Sequence, residues 1–386
     1  MLRPLNVLRD ELNEIDRQIV ALFEKRMNIA TEVVKFKVEN HKPIYDPERE
    51  RQVIENRVAL LANPRFAPYV TALFEDLMDM SKAEQQAYLD TLAPSDAMAA
   101  PDEGETLPYE TGMAVAHQGV PGAYSEQALF HFFGEDALTI ACARFEDVFT
   151  AIADCRAVYG VLPVENSSTG TVAEVYDLLA KYGLSIVGEQ YLHIEHCLLG
   201  VKGATLDQVQ EVYSHKQGLL QCAPYLHEHG LTPCEMSNTA LAAQYVAECQ
   251  DSSKAAIASR AAGKRYGLEV LAYPISMKRN NDTRFIIVAK EAFPPKRADK
   301  ISLAFTLSHE SGSLYQALAH FSKRALNLTR IESRPIPDKN WEYLFYVDFE
   351  GNAAAKEVQE AISELSRQAL DVKMLGNYPA NKQGGM

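Results

Sequence analysis

Asn280 to Phe285 read NNDTRF, a polar run that ends on an Arg just ahead of the apolar stretch IIVAK. It holds no Cys, His or Lys nucleophile, so any chemistry here falls to Thr283 as a donor to a leaving group and to Arg284 as a charge for an anion. A polar turn opening a strand explains the same letters. LPVENSSTG places Glu165, Asn166, Ser167, Ser168, Thr169 and Gly170 after an apolar run, where backbone N–H groups and short hydroxyls can receive an anion at a helix N-terminus. A capping loop accounts for it equally well. YSHKQGLLQC adds Ser214, His215, Gln217 and Gln221, and MSNTALAA puts Thr239 at a helix start. YLHIEHCLL offers His193, Glu195, His196 and Cys197, all metal-capable, but on a strand His196 faces away from His193 and Glu195, and the helical H-E-x-x-H spacing is missing. No metal is expected. HQGVPGAYSEQAL spaces its glycines G-x-x-G instead of G-x-G-x-x-G, which argues against a dinucleotide loop, and no cofactor is expected.

A second set of candidate residues is cationic. Leu5, Leu8, Leu12, Ile15, Ile19, Leu22, Ile29, Val33 and Phe36 follow a 3,4 alternation that specifies a long helix with a packing seam, and Arg26 stands on that seam. A seam Arg is either a registry device paired with a buried acid or a ligand cation facing an interior pocket. Lys37 follows eleven residues later, about 20° around the helix and roughly 16 Å along it, so the two side chains can bracket a small dianion. Arg9 precedes Arg26 by seventeen residues, roughly 25 Å, and cannot reach the same ligand from its own helix. A second chain would have to supply it. DPERERQVIENRVALLA begins another helix with Asp46 as N-cap and Pro47 at its first position, and carries Arg49 and Glu50. Ser81 and Gln85 form an i,i+4 pair on a third helix, about APYVTALFEDLMDMSKAEQQAYL.

These residues sit on three kinds of pattern. Residues 1–92 read as an all-α unit, and 93–110, rich in Pro, Ala and acids without periodicity, as a linker. Residues 111–291 alternate short apolar runs with helical stretches, the pattern of an α/β domain, and residues 292–299, AFPPKRAD, read as a second linker. Residues 300–386 give the order βαββαβ, the split ferredoxin-like motif. A net charge of −14 over 386 residues argues against nucleic acid or a polybasic membrane contact, so anionic ligands need local Arg and Lys clusters. Six Cys lie scattered without a C-x-x-C pair, and no apolar run has membrane length. A cytoplasmic protein with reduced thiols is expected.

The N-terminal set, with YDPERER and SKAEQQ, resembles the AroQ class of chorismate mutases over about residues 5–92, and Arg9, Arg26, Lys37, Asp46, Arg49, Glu50, Ser81 and Gln85 fall on that family's active-site positions. The resemblance implies an intertwined three-helix dimer and a Claisen rearrangement of chorismate to prephenate. Arg9 of a partner chain and Arg26 would clamp the carboxylates, Lys37 and Gln85 would donate to the breaking ether, and Glu50 would hold the ring hydroxyl.

VPGAYSEQA, PVENSSTG, YSHKQGLLQC and DTRF together resemble prephenate dehydratase, whose domain has two α/β lobes similar to a periplasmic binding protein with the ligand between them. That implies decarboxylative dehydration of prephenate to phenylpyruvate, with Thr283 as donor to the leaving hydroxyl and Arg284 balancing carboxylate charge. Glu165, Asn166, Ser214 and Gln221 would line the cleft, and Ser167, Thr169, Gly170, His215 and Thr239 would assist binding. TRIESRPIPDKNWEYLFYVD is similar to the ACT regulatory domain of these dehydratases, implying L-phenylalanine as effector at Gly312, Leu314, Glu332, Ser333 and Arg334. Gly312, Ser313, Leu314 and Tyr315 stand where that family usually has Gly-Ala-Leu-Val, a departure that bears on effector preference.

The expected protein is therefore a homodimer through its helical and ACT parts, with a tetramer as the larger option. The rival readings are a degenerate fusion that senses aromatic acids without turnover, and a dehydratase preferring arogenate. An amide donates at any pH, whereas a Glu in place of Gln85 would have to be protonated. The mutase rate is expected to stay high through neutral pH, and a sharp loss between about pH 6 and 8 in still-folded protein would contradict the assignment of Gln85.

Overall fold

The computed structural model describes residues 3–40, 47–92, 107–277, 281–293, 295, 297–336 and 343–381, in two units divided between residues 99 and 100. In the first unit α1 (Leu5–Glu39) is one unbroken helix, stopped where the backbone N–H and the side-chain amide of Asn40 both bond the Phe36 carbonyl. It is followed by α2 (Pro47–Val58) and α3 (Ala67–Leu92), and α1 and α2 both pack on α3. Ala30, Val34 and Met78 form the buried centre. Leu12, Ile15, Ile19, Leu22 and Phe36, the expected seam, are each more than half exposed.

The second unit opens with a first lobe of β1 (Ala114–Gln118), α4 (Tyr124–Phe133), β2 (Leu138–Cys142), α5 (Phe145–Ala153), β3 (Tyr159–Asn166), β4 (Gly170–Thr171), α6 (Ala173–Tyr182) and β5 (Ser185–His193). The chain leaves it through Ile194, Glu195 and His196. It then builds a second lobe from β6 (Cys197–Gly200), β7 (Glu211–His215), α7 (Lys216–Gln221), α8 (Ala223–Glu228), β8 (Thr232–Met236), α9 (Thr239–Cys249), β9 (Lys254–Ala258), α10 (Arg260–Tyr266) and β10 (Glu269–Ala272). At Asn281 it re-enters the first lobe, where β11 (Asp282–Ala289) inserts antiparallel between β3 and β5. The sheets run β2-β1-β3-β11-β5, with β4 beside β3, and β10-β6-β9-β7-β8.

Two glycines of the GVPG turn, both with positive φ, let the lobes approach. A Cβ on Gly122 would lie 3.1 Å from Ala262 Cα, and one on Gly119 would lie 3.0 Å from the Asn238 amide. The motif is thus a lobe-to-lobe packing turn, with Tyr266 donating to the Pro121 carbonyl and Gln127 to Ser259 across the same boundary.

The C-terminal part runs β12 (Lys300–Thr306), α11 (Ser313–Ser322), β13 (Leu328–Pro335), β14 (Tyr343–Glu350), α12 (Lys356–Gln368) and β15 (Asp371–Tyr378), with sheet order β13-β14-β12-β15 and every neighbour antiparallel. One sheet face, with Ile301, Leu303, Phe305 and Val347, packs under α11 and α12. The other, with Ala304, Tyr346, Leu375 and Tyr378, joins the core of the first lobe. The fit is close: a Cβ on Gly376 would fall 2.1 Å from the Ile186 carbonyl oxygen, so only glycine serves there. The expected 93–110 linker is shorter at its end, because Pro108 accepts the Tyr159 hydroxyl and Tyr109 packs 4.8 Å from the Phe133 ring.

Candidate functional site

Thr283 and Arg284 are neighbours on β11, so strand alternation sends them to opposite faces. Thr283, almost wholly buried, pairs in register with Asn166 at the end of β3. The Asn166 amide donates to Thr283 Oγ1 and to Asn281 Oδ1, each at 2.8 Å. Asn281 in turn donates to Gln221 Oε1 at 3.3 Å, and His196 Nε2 lies 2.8 Å from that same oxygen. Asn166 and Thr283 stand on the first lobe, Gln221 on the second, and His196 and Asn281 on the two connections between them. These residues form one polar network where the two lobes meet, at the expected position of the cleft.

Arg284 does not join it. It is 3 % exposed and faces the C-terminal sheet. Its Nε donates to Glu189 at 2.7 Å, its Nη1 to Asp348, and its Nη2 to the Tyr378 hydroxyl at 2.9 Å. Lys300 completes the cluster with a 2.8 Å bond to Glu189, and Ser302 donates to Asp348. Burial alone pushes the Asp348 carboxyl up, but Arg284, Ser302 and Lys300 outweigh it and hold the group below its ordinary value. The guanidinium expected to balance substrate charge instead neutralises buried carboxylates. Glu165, opposite Arg284 in register, shares that face and meets Arg330 at 3.5 Å, so it too points away from Thr283.

The expected anion cradle at Ser167, Thr169 and Gly170 is also spent internally. The N–H groups of Ser168 and Thr169 donate to Asn166 Oδ1, and that of Ser167 to the Asp282 carbonyl. Gly170, at φ +84°, turns the chain back into β4. Ser214 is fully buried and donates to the Ile257 carbonyl at 2.7 Å, which makes it a strand-to-strand tie. His215 is exposed and caps α7 by accepting from Gln217 N–H. Thr239 is half-buried at the first turn of α9, where Asn238 makes the cap.

His193, weighed as a metal ligand, pairs with Asp282 at 2.9 Å, and Glu195 takes the Tyr273 hydroxyl. Among the described residues no cluster has metal-ligand composition. The sequence reading did not single out His196, Asn281 or Tyr124 for the cleft, and alternation along YLHIEHCLL, which turns His196 from its neighbours, was the one available signal.

In the helical unit Arg26 donates to the Leu77 carbonyl at 2.7 Å and to Ser81, joining α1 to α3. Burial, with the like charge of Arg57, pulls its pKa below the ordinary guanidinium value. Gln85 is buried one turn beyond Ser81, Lys37 is half-buried, and Arg9 and Arg49 are exposed. Asp46 and the side chain of Glu50 lie outside the described residues. On β13, Glu332 accepts the Thr171 hydroxyl at 2.8 Å and Arg334 reaches Asp177 at 2.9 Å, while Ser333 faces outward. Gly312 and Leu314 open α11, so the expected effector residues divide between two elements.

A family model for prephenate dehydratase matches residues 115–293, and one for chorismate mutase type II matches residues 8–86. The chain is 35% identical over 391 residues to the bifunctional chorismate mutase/prephenate dehydratase of Escherichia coli (strain K12), an alignment covering 98% of this chain and 96% of that one. Among solved structures, prephenate dehydratase from Arthrobacter aurescens in complex with L-Phe is 29% identical at a TM-score of 0.64, covering 69% of this chain and 90% of that one. The quorum-quenching acylase GqqA is 34% identical at a TM-score of 0.65, covering 69% and 98%. The chain belongs to the family of bifunctional chorismate mutase/prephenate dehydratases.

Replacing Arg284 by Met removes the cation paired with buried Asp348 and leaves Glu189 with Lys300 alone. The chain is expected to lose about 3–5 kcal/mol of unfolding free energy in denaturant titration. Because the Asp348 pKa is depressed in the fold, its contribution is present above the unfolded value of about 3.9 and disappears as pH falls below it. A variant as stable as the parent would mean that the cluster contributes nothing.

Proposed function

We propose that the chain rearranges chorismate to prephenate on its helical unit and converts prephenate to phenylpyruvate in the cleft beside Thr283, two steps of phenylalanine biosynthesis. One observation carries the second site: Thr283 Oγ1 accepts from the Asn166 amide, which leaves its own hydroxyl hydrogen to give outward. In the dehydration the electrons of the carbon–carboxylate bond pass into the ring as CO₂ departs, the ring aromatises and hydroxide leaves from the opposite carbon. Aromatisation drives the step, so a weak but well-placed donor suffices for the departing oxygen. An acyl-transfer nucleophile needs the reverse, a base that takes its proton. The Asn166 contact makes Thr283 a better donor and a poorer nucleophile, which favours dehydration over acylase chemistry here.

The mutase step calls for clamped carboxylates and donors to the ether oxygen, and it asks for no covalent participation from the protein. Arg26 anchored by Ser81, with Gln85 buried nearby, supports that reading. Arg9 lies seventeen residues up an unbroken helix, roughly 25 Å away, and belongs to the site of a second chain. The exposed apolar seam of α1 supports the same dimer. The C-terminal βαββαβ part is read as an ACT domain that senses L-phenylalanine. Two of its attachments to the first lobe, Arg284 to Asp348 and Thr171 to Glu332, lie one residue from Thr283 and Gly170 respectively, so a shift of that sheet bears on the cleft.

Thr283→Ala is expected to lower prephenate turnover about 100-fold or more while the chorismate mutase rate of the same preparation holds. Dehydratase activity near the parent rate would overturn the assignment. Titration with L-Phe should depress the dehydratase rate, with L-Tyr weaker, and a flat response to both would remove the sensor.

A further inference from the structure

The polar network of the cleft has a direction that can be worked out from one end. Two backbone N–H groups, of Ser168 and Thr169, point at Asn166 Oδ1 at 3.0 and 3.1 Å, so the Asn166 amide presents only N–H to Asn281 Oδ1 and Thr283 Oγ1. Asn281 must then turn its own Nδ2 toward Gln221 Oε1. The same Gln221 oxygen lies 2.8 Å from His196 Nε2, which can approach it only as N–H. His196 Nδ1 lies 3.0 Å from the Tyr124 hydroxyl, a phenol kept protonated by burial whose single hydrogen is shared between that nitrogen and the Glu195 carbonyl 2.7 Å away. Burial also pushes the imidazole pKa down, offset only in part by the Gln221 bond, so the ring is neutral at pH 7 and Nδ1 is the bare nitrogen.

We propose that His196, backed by Tyr124, is a positioning residue for the dehydration: as its Nε2–H tautomer it holds the Gln221 carbonyl and leaves the Gln221 amide N–H groups to meet a carboxylate of the substrate. The proposal rests on the reading of the Thr283 cleft as the dehydratase site. With the other tautomer, Gln221 would have to flip to donate to a bare Nε2. The flip sets its nitrogen against Asn281 Nδ2 and turns its carbonyl toward a dianionic ligand, two unfavourable contacts at once. His196 also stands on one inter-lobe connection and Asn281 on the other. The pair therefore pins Gln221 of the second lobe to the first lobe at a fixed register with Thr283.

The full-length chain tests this in two independent ways. A ¹⁵N-histidine spectrum, with the His196 signals assigned by their loss in His196→Gln, should show a neutral Nε2–H ring; a neutral Nδ1–H ring overturns the proposal without reliance on any variant's folding. In steady-state assays on prephenate, His196→Phe should lower kcat/KM roughly 10- to 100-fold, the equivalent of one buried hydrogen bond, chiefly through a higher KM. His196→Gln, which keeps an N–H donor, should recover most of the loss. An unchanged KM in the Phe variant, or an equal defect in both, overturns the proposal. Thr283→Ala run alongside separates the two readings: if it retains turnover, the site assignment fails whatever the tautomer, and if it abolishes turnover while His196→Phe is normal, only the positioning role fails.

Discussion

Two cations and two anions, Arg284 and Lys300 against Glu189 and Asp348, meet in a space closed to water on the face of β11 opposite Thr283. Leaving any one of them alone would expose a buried charge, so all four must arrive together. Arg284 comes from β11, Glu189 from β5, Lys300 from β12 and Asp348 from β14, so this requirement fixes how the C-terminal sheet lies on the first lobe. It also fixes the register of β11. A slip of one residue would exchange the faces of Thr283 and Arg284, placing a hydroxyl in the ionic cluster and a guanidinium in the cleft. The position of Thr283 is thus set by ions on the opposite face of its strand.

That arrangement explains what could and could not be read from the letters. The α1 helix was legible because its 3,4 apolar spacing is a local property, and the C-terminal element order because each segment carries its own period. DTRF was legible as a signature, but adjacency in sequence concealed opposition in space. Thr283 meets the Asn166 amide, and Arg284 pairs with carboxylates 64 and 95 residues away in the chain. The same alternation divides Glu332 and Arg334 from Ser333 on β13.

The loop of PVENSSTG failed as an anion cradle for a related reason. Hydroxyls and N–H groups in one short run suggest a donor-rich concavity, yet the Asn at its head satisfies two of those donors itself. What the loop supplies is orientation. The tie of Asn166 to its own backbone sends a defined polarity into a network whose next members, Asn281, Gln221 and His196, lie far apart in sequence. Gln221 was legible through its motif, but its link to Asn281 and His196 has no local signature.

The insertion of β11 has a consequence in time as well as in space. The ribosome delivers β1 to β5 first, then the whole second lobe, and only afterwards the strand that fills the gap between β3 and β5. Until residue 289 has emerged, the first sheet is missing an interior strand and two inner edges stand open. The second lobe, continuous in sequence from β6 to β10, can fold during that wait. The strand that completes the sheet also carries Thr283, so the proposed donor for the departing hydroxyl takes its place only when the first lobe is closed.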